Sequence, residues 1–454
     1  MNNISLIEKF IEFTRSEQLI AGGEKTLIAV SGGADSVVLC DLFKKAGFEF
    51  AIAHCNFQLR ETDSETDAEF VKALAEKHNV AFYGERFNTI EFKNENKLSL
   101  EEAARNLRYE YFEMIRSNFG YSKIATAHHL NDSIETVIMN LIKGTGIRGI
   151  TGIPVKNNHI IRPLLFALKK DIEDYAVENK IEYRNDISNL SNDFHRNKIR
   201  NEIIPVLKSI NPSLESSMAK SIKHFHEAEI IFNEQIKKKL SKLVKISGND
   251  IYYPVAALKL LPATSTYLHE LLYPFGFNED QIGQIISCFG TSGKMFYSKN
   301  RRVIIDRKNM IILPLEATND SIIIINEENK SVDAGENKLY FEYSNFNMNM
   351  QFNNSGDVAY FDAATISFPL ILRKWKAGDY LYPLGLTKKK SDKPGKKKVS
   401  DILTDLKLSV LEKERTRVLL CGEKIIWVAG IRQDERFKVT EKTTRLLKVK
   451  LSGK

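Results

Sequence analysis

Residues 25–43 read KTLIAVSGGADSVVLCDLF, which predicts a strand, a tight turn and a helix in succession. Thr26–Val30 has the apolar, β-branched character of a buried parallel strand. Gly32 and Gly33 let the backbone approach a ligand closely, and the helix starting at Asp35 points free N–H groups into the turn. The stretch therefore predicts a phosphate or pyrophosphate site, although a plain glycine turn before a helix would have the same pattern.

The SGGADS turn contains no lysine, and this limits the kinds of phosphate chemistry that it can support. It is not the GxxxxGK[ST] loop that holds the β- and γ-phosphates for γ-phosphoryl transfer. Asp35 instead favours a pyrophosphate group that carries Mg²⁺.

Charge is distributed unevenly over the 454 residues. Residues 371–454 contain 23 Lys and Arg against 10 Asp and Glu, whereas the rest of the chain is slightly acidic. A basic C-terminal region predicts a polyanionic partner, most plausibly nucleic acid. Four widely spaced cysteines with no CxxC pair fit a reducing cytoplasm, and no apolar run reaches membrane-spanning length.

Strand and helix patterns alternate from residue 25 to about 165, which predicts an α/β domain built on a doubly wound parallel sheet. The strand candidates are Leu27–Val30, Phe48–Ala53, Val80–Tyr83 and Lys123–Ala127. Ligands of such sheets bind at the carboxyl ends of the strands. Polar residues follow three of these strands, namely the SGG turn, His54 with Asn56, and His128 with His129.

Beyond Pro212 the pattern changes. Residues 213–245 predict one long helix, further helices follow to about 289, and residues 294–313 alternate as a hairpin. We predict four segments: a catalytic domain (1–212), a mainly helical middle domain with a role in nucleic-acid binding (213–320), a connecting β-rich segment (321–370) and a small basic α+β domain (371–454).

Three clusters of charged residues could carry chemistry. Arg105 and Arg108 lie three residues apart on one helix and could clamp a phosphate, although pairing with Glu101 and Glu102 on a solvated face is the simpler interpretation. His128, Asp132 and Glu135 surround a helix start and could hold Mg²⁺ or an ammonium group, or could merely cap the helix. Basic residues at a second helix start oppose its dipole and favour a nearby anion; they are Arg196, Lys198 and Arg200.

Six sequence blocks together resemble the tRNA(Ile)-lysidine synthetase family of PP-loop ATP pyrophosphatases. They are SGGADS (31–36), AHCNFQLR (53–60), ARNLRYEYF (104–112), AHHLNDSIET (127–136), IRPLL (161–165) and DISNLSNDFHRNKIR (186–200). The C-terminal blocks 372–386 and 425–440 extend the resemblance over nearly the whole chain. One departure is Asn131-Asp132-Ser133, where the family often has Asp-Asp-Gln.

The resemblance implies a fold similar to the adenine nucleotide alpha hydrolases and a two-step ligase reaction. ATP adenylates C2 of the wobble cytidine in a CAU anticodon, and free L-lysine then displaces AMP to form lysidine. The implied cofactors are ATP and Mg²⁺, and the implied partners are L-lysine and the isoleucine tRNA with a CAU anticodon. A homodimer is left open.

The resemblance also suggests roles for individual residues. Catalysis is expected from Asp35, Arg105, His128, Asp132 and Glu135. ATP binding is expected from Ser31, Gly32, Gly33, Ala34, Asp35, Ser36, His54 and Arg108, with the metal on Asp35. Asp132 and Glu135 are expected to bind lysine. tRNA contacts are expected from Arg196, Arg200, Arg373, Lys374, Lys376, Lys388, Lys389, Lys390, Lys396, Lys397 and Lys398.

Two other functions fit parts of the pattern. A tRNA thiolation enzyme shares the PP-loop but would need sulfur-handling cysteines, which are not clustered here. A non-catalytic RNA-binding protein could keep ATP as a structural ligand, and it would release no AMP.

Overall fold

The computed structural model describes residues 4–59, 61–184, 194–315, 322–334, 337–347, 350–352, 355–388 and 391–452. The chain forms two compact units, Met1–Glu234 and Gln235–Lys454, which we call unit 1 and unit 2. Within the described ranges, no helix combines the length and the apolar character needed to cross a membrane.

Unit 1 contains the predicted alternation of strands and helices. Its strands are β1 (Thr26–Ala29), β2 (Phe50–Asn56), β3 (Phe82–Arg86), β4 (Lys123–Ala125), β5 (Lys156–Asn157) and β6 (Ile160–Ile161). Its helices are α1 (Leu6–Ser16), α2 (Ala34–Lys45), α3 (Glu61–His78), α4 (Thr89–Asn96), α5 (Leu100–Phe119), α6 (Leu130–Lys143), α7 (Ile147–Ile150), α8 (Lys169–Glu178), α9 (Phe194–Lys198) and α10 (Ile204–Ile210). A π-helical turn, Ile199–Ile203, joins α9 to α10, and α11 (Leu214–Ser241) continues into unit 2.

The strands of unit 1 form one sheet in the order β3-β2-β1-β4-β6-β5, which is parallel except for β5. Alternate residues of β1 face opposite sides of this sheet. Ile28 lies in the core beneath α1, α2 and α8, whereas Leu27 packs against α5 on the other side. The predicted doubly wound sheet is therefore confirmed. β1 connects to β2 on one side, whereas the chain later crosses from β3 to β4 on the other side of β1. Such a topological switch point is where ligands of these sheets bind.

A small apolar cluster positions the segment that follows α9. Ile134 of α6 packs against Ile199, Ile204 and Leu214, all of them buried. This packing holds the π-helical turn, which contains Arg200, beside the first turns of α6.

Unit 2 is built mainly from antiparallel sheets. Its strands are β7 (Lys245–Ser247), β8 (Asp250–Pro254), β9 (Lys294–Tyr297), β10 (Arg301–Ile305), β11 (Asn309–Pro314), β12 (Ile323–Ile325), β13 (Ser331–Asp333), β14 (Lys338–Asn345), β15 (Val358–Asp362), β16 (Leu370–Lys374), β17 (Tyr380–Leu381), β18 (Thr387–Lys388), β19 (Ser391–Pro394), β20 (Lys397–Lys398), β21 (Arg417–Cys421), β22 (Lys424–Val428), β23 (Arg432–Gln433) and β24 (Arg445–Leu451). Its helices are α12 (Val255–Lys259), α13 (Thr264–Leu272), α14 (Glu279–Ser287), α15 (Val399–Asp405) and α16 (Val410–Arg415).

The middle of the chain is less helical than its sequence pattern suggested. The long helix is present as α11, but residues 245–254 form strands where further helices were predicted. These strands join the predicted hairpin, which has three strands rather than two, in a sheet ordered β7-β8-β11-β10-β9. β7 pairs with its neighbour β8, but β8 pairs with β11, more than 50 positions further along the chain, so local periodicity did not reveal this sheet.

Residues 321–370 are part of the C-terminal sheets and not a separate connector. β12 pairs with β16, while β14 and β15 both pair with β24 at the end of the chain. The strands enclose a buried core that includes Phe361 and Trp427. The basic C-terminal region is thus a α+β structure completed by strands from the preceding segment.

Candidate functional site

The SGGADS turn has the geometry of an anion site at the start of α2. Gly32 has φ +96°, a left-handed conformation that favours glycine. Gly33 is the N-cap residue, and no side chain caps this helix end, so the first N–H groups face the turn. Ser36 braces the turn from inside, since its hydroxyl donates to the Gly33 carbonyl oxygen at 2.9 Å.

A lysine from a distant helix covers the carboxylate of this turn. The Nζ of Lys169, the first residue of α8, lies 2.8 and 2.9 Å from the two carboxylate oxygens of Asp35. The backbone N–H of Lys169 donates to Oδ1 of Asn131 at 2.9 Å, which joins the starts of α8 and α6. Sequence reasoning missed Lys169, and its position in the first turn of a helix, where a cation opposes the dipole, was the available signal.

The end of β2 supports the end of β1. Nδ1 of His54 lies 2.8 Å from the carbonyl oxygen of Val30, and the imidazole is buried. Burial lowers the pKa of His54, against the opposing effects of the Val30 carbonyl and Asp67. The side-chain amide of Asn56 donates to the Ser64 carbonyl and to Glu65 of α3. Both residues hold the strand ends in place.

The start of α6 lies against the turn. The backbone N–H of His129 donates to Oδ2 of Asp132 at 2.9 Å, and Nε2 of His129 lies 3.5 Å from the same oxygen. Nε2 is also 3.9 Å from Oδ2 of Asp35, so one imidazole stands between the two carboxylates. The three predicted strand ends therefore meet at one edge of the sheet.

His128 is held as a neutral imidazole. Its Nδ1 lies 2.9 Å from the hydroxyl of Thr126. Burial, together with the charges of Arg162 and Arg196, lowers the pKa of His128 to about 4, even though Asp132 opposes this. At neutral pH the residue can therefore form hydrogen bonds to a substrate without carrying a charge.

Asp132 and Glu135 form ion pairs with two arginines that were predicted to contact tRNA. Nε of Arg196 lies 2.8 Å from Glu135 and its Nη2 lies 2.9 Å from Asp132. Arg200 reaches Glu135 through Nε at 2.7 Å and Nη2 at 3.0 Å. The Glu135 side chain is only 1% exposed and the Asp132 side chain 14%. Both arginines enclose the Glu135 carboxylate, and its role as a direct lysine ligand stays a prediction.

The Asp132 carboxyl stays ionised in this network. Burial acts to raise its pKa, but the charges of His129 and Arg196 and the hydrogen bond from His129 outweigh burial and lower it. The Asp132 carboxylate is therefore an anion of this site whose side chain is partly exposed to solvent.

Arg105 and Arg108 lie on α5 and contact aromatic rings. The guanidinium of Arg105 is 5.0 Å from the ring centre of Tyr109, and that of Arg108 is 5.2 Å from that of Phe57. Glu102 instead caps its own helix through Ser99. Both arginines are exposed, as the simpler interpretation of a solvated face expects, although among the described residues neither forms an ion pair with Glu101 or Glu102.

Arg162 is a buried cation that sequence reasoning also missed. It is 5% exposed, and its Nη1 donates to the carbonyl oxygen of Pro154 at 2.6 Å. Burial lowers its pKa, and Arg105 contributes to this, whereas Tyr109 opposes it. Its block, IRPLL, was noted in the sequence, but burial of the guanidinium depends on the fold.

Three family models match this chain in the order of its parts. A PP-loop domain matches residues 4–207, the TilS substrate binding domain matches residues 246–315, and the TilS substrate C-terminal domain matches residues 370–450. Curated proteins named tRNA(Ile)-lysidine synthase align over nearly the full length. That of Bacteroides thetaiotaomicron is 37% identical over 445 residues, covering 98% of this chain and 99% of that protein. That of Parabacteroides distasonis is 37% identical over 451 residues, covering 99% and 100%.

This chain belongs to the tRNA(Ile)-lysidine synthase family. A third relative, from Porphyromonas gingivalis, is 32% identical over 452 residues and covers 96% of both chains. The resemblance drawn from the sequence blocks is confirmed, and with it the PP-loop α/β fold of the N-terminal part.

The basic C-terminal region exposes only part of the set of Lys and Arg residues that were predicted to contact tRNA. Arg373 is held in two hydrogen bonds by Asp379, so its charge is balanced within the domain. Lys376, Lys396 and Lys398 are exposed, and Nζ of Lys396 lies 3.4 Å from the ring centre of Tyr380. Lys389 and Lys390 lie outside the described residues. Lys374 borders β21, Lys388 ends β18, and Lys397 pairs with Asp405.

The turn of this tRNA(Ile)-lysidine synthase family member suits Mg²⁺ held mainly by its substrate. Within the described residues, no group of three or more His, Cys, Asp or Glu side chains could hold a metal. Asp35 is the carboxylate beside the anion site, and a cation, the Lys169 ammonium, already sits on it. Mg²⁺ commonly takes one or two carboxylates and completes its shell with phosphate oxygens and water.

Proposed function

We propose that this protein ligates free L-lysine to C2 of the wobble cytidine in an isoleucine tRNA with a CAU anticodon. The proposal is carried by one observation: the SGGADS turn and the Asp132–Arg196 network meet at the same sheet edge, bridged by His129. A site for a pyrophosphate leaving group thus adjoins an acidic site for an amine, inside a family whose curated members are named for this product.

The first step is adenylation. Cytosine O2 attacks the α-phosphorus of ATP, an O–P bond forms, and the bond to the β-phosphate oxygen breaks as pyrophosphate leaves. The N–H groups at the start of α2 bind that pyrophosphate, with Ser31 to Ser36 as the cradle. Mg²⁺ on Asp35 would neutralise the leaving group. Arg108 is proposed for ATP and Arg105 for charge on the nucleotide.

The second step is attack by lysine. The uncharged ε-amine forms a C–N bond at C2, AMP departs with the electrons of the C2–O bond, and the proton that the attacking nitrogen loses passes to water. We assign direct contact with the lysine ammonium to Asp132, because its carboxylate is ionised and partly exposed. Glu135 acts behind it by holding Arg196 and Arg200. Neutral His128 is a hydrogen-bonding group for the substrates.

The tRNA is held by charge and by its unpaired anticodon base. The exposed lysines of the C-terminal region contact phosphates, and the target base leaves its stack to reach the sheet edge. Arg196 and Arg200, which are about one third exposed, stand at the rim of that edge. The four free cysteines agree with action in the cytoplasm.

Thiolation is not favoured by the cysteines of unit 1. Burial, with a smaller effect of Asp41, raises the pKa of the Cys40 thiol well above its usual value. Burial also raises the pKa of Cys55 to about 12, despite the charge of Arg108. Neither thiol would ionise to carry sulfur at neutral pH.

The test supplies purified protein with ATP, labelled lysine and tRNA transcripts that differ only in the anticodon. We expect label in the CAU isoleucine tRNA, with one AMP and one pyrophosphate per lysine. Incorporation that ignores the anticodon, or none at all, would disprove the proposal, and AMP-free ATP binding would favour the non-catalytic alternative.

Asp35→Asn tests the role of the Asp35 carboxylate, and Asp41→Asn is its matched control. Both aspartates lie on α2 and both contact a lysine, Lys169 and Lys45 respectively. We expect Asp35→Asn to lose lysine incorporation and Asp41→Asn to retain it. Equal activity of the two variants would contradict the role of Asp35.

A further inference from the structure

One strong contact at the nucleotide site is not used by the two steps above. The ammonium of Lys169 binds both carboxylate oxygens of Asp35, at 2.8 and 2.9 Å, while Oε1 of Glu173 is a more distant neighbour at 3.9 Å. The Lys169 side chain is 37% exposed and that of Asp35 is 28% exposed. The pair is therefore open to a ligand entering the turn.

The backbone of Lys169 is fixed, whereas the torsions of its long side chain allow the ammonium to change partners. Its N–H is bound by Asn131, and the N–H of Leu130 donates to the Ala167 carbonyl oxygen at 2.9 Å. Both bonds anchor the start of α8 to the start of α6. Four side-chain torsions remain to carry the ammonium between neighbouring anions over a few ångströms.

The surroundings favour an anion larger than one carboxylate. The uncapped start of α2 and the start of α8 both direct positive dipole ends toward this point. A lysine in the first turn of α8 adds to that positive potential. If a divalent cation occupies Asp35, the ammonium loses its main partner and is left with only the more distant Glu173 and solvent, so an anion that enters the turn would be its nearest new partner.

We propose that Lys169 is a phosphate-binding residue of the nucleotide site. It supplies from α8 the lysine that the SGGADS turn lacks, and it moves from the Asp35 carboxylate to the pyrophosphate portion of ATP when the metal binds. In the absence of ATP it is the counter-ion of the Asp35 carboxylate. The inference rests on the proposed function for the identity of the nucleotide.

A purely structural ion pair would predict a different response. Removing Lys169 relieves competition at Asp35, so Mg²⁺ alone should bind more tightly under either interpretation. Only a phosphate contact makes Mg²⁺-pyrophosphate bind more weakly in the same variant. The two ligands should therefore change in opposite directions.

The experiment measures binding of Mg²⁺ alone and of pyrophosphate at saturating Mg²⁺ by titration calorimetry. The variants are Lys169→Gln, Lys169→Arg and, as a control, Lys170→Gln, which alters the exposed neighbour on the same helix. We expect Lys169→Gln to weaken pyrophosphate binding by about tenfold or more, the usual loss for one charge-assisted hydrogen bond. Lys169→Arg should stay within about threefold, since it keeps the charge, and Lys170→Gln should match the wild type.

Unchanged or tighter pyrophosphate binding by Lys169→Gln would overturn the proposal and leave Lys169 as a counter-ion only. Far-UV circular dichroism checks that the variant is folded. If it is not, Lys169→Met takes its place, and unchanged or tighter pyrophosphate binding by that variant overturns the proposal in the same way. Pyrophosphate binding needs neither tRNA nor lysine, so a failure here is distinct from a failure of wild-type lysine incorporation.

Discussion

Removing the Glu135 carboxylate should destabilise unit 1. Glu135 receives three hydrogen bonds from Arg196 and Arg200, at 2.7 to 3.0 Å, and its side chain is 1% exposed. Breaking a fully buried pair costs about 3–5 kcal/mol. The arginines are 31% and 37% exposed and keep Asp132 as a partner at 2.9 and 3.7 Å, so water and Asp132 offset part of this. We expect Glu135→Leu to lower the free energy of unfolding by about 2–3 kcal/mol.

The assay is urea unfolding followed by far-UV circular dichroism. Both tryptophans, Trp375 and Trp427, belong to unit 2, so their emission separately reports the unfolding of that unit. Glu135→Gln keeps one acceptor oxygen and should cost less than Glu135→Leu. The matched control is Glu110→Gln, an exposed acid on α5, with a change within about 0.5 kcal/mol. A loss below about 0.5 kcal/mol for Glu135→Leu would refute the assigned role of the carboxylate.

Three further outcomes follow from the structure. The pKa of His128 is lowered to about 4, so between pH 4 and 6.5 the unfolded chain binds more protons than the folded chain, and the free energy of unfolding falls as the pH falls through that window. His128→Asn should reduce the slope of the free energy of unfolding against pH by up to the equivalent of one proton. An unchanged slope would contradict the lowered pKa. Asp434 is fully buried and accepts hydrogen bonds from the N–H of Tyr382 and from Arg436, so Asp434→Ala should lower the stability reported by tryptophan emission by about 3 kcal/mol, and a loss under 1 kcal/mol would count against this. Replacing the exposed Lys396 and Lys398 by Gln should weaken tRNA binding and reduce the slope of log affinity against log salt by about 0.7–0.9 per lost phosphate contact, whereas an unchanged slope would remove both from the interface.

Local sequence patterns determined the elements on which this site is built. The strand, turn and helix of residues 25–43 and the long helix from Leu214 appear where periodicity and glycine placement predicted them. These features are set by interactions between residues only a few positions apart. The order of blocks along the chain also predicted the family correctly.

Tertiary structure alone decided which charges meet. Lys169 reaches Asp35 across 134 positions, and Arg196 and Arg200 reach Glu135 across 61 and 65, so no helical or strand period connects them. The same limitation explains β8, whose partner β11 lies far along the chain. Hydrophobic periodicity records which face of an element is buried, but it carries no information about the element that covers that face. Charge pairing is a property of the assembled sheet edge, where Arg196 and Arg200 enclose Glu135 and Lys169 binds Asp35.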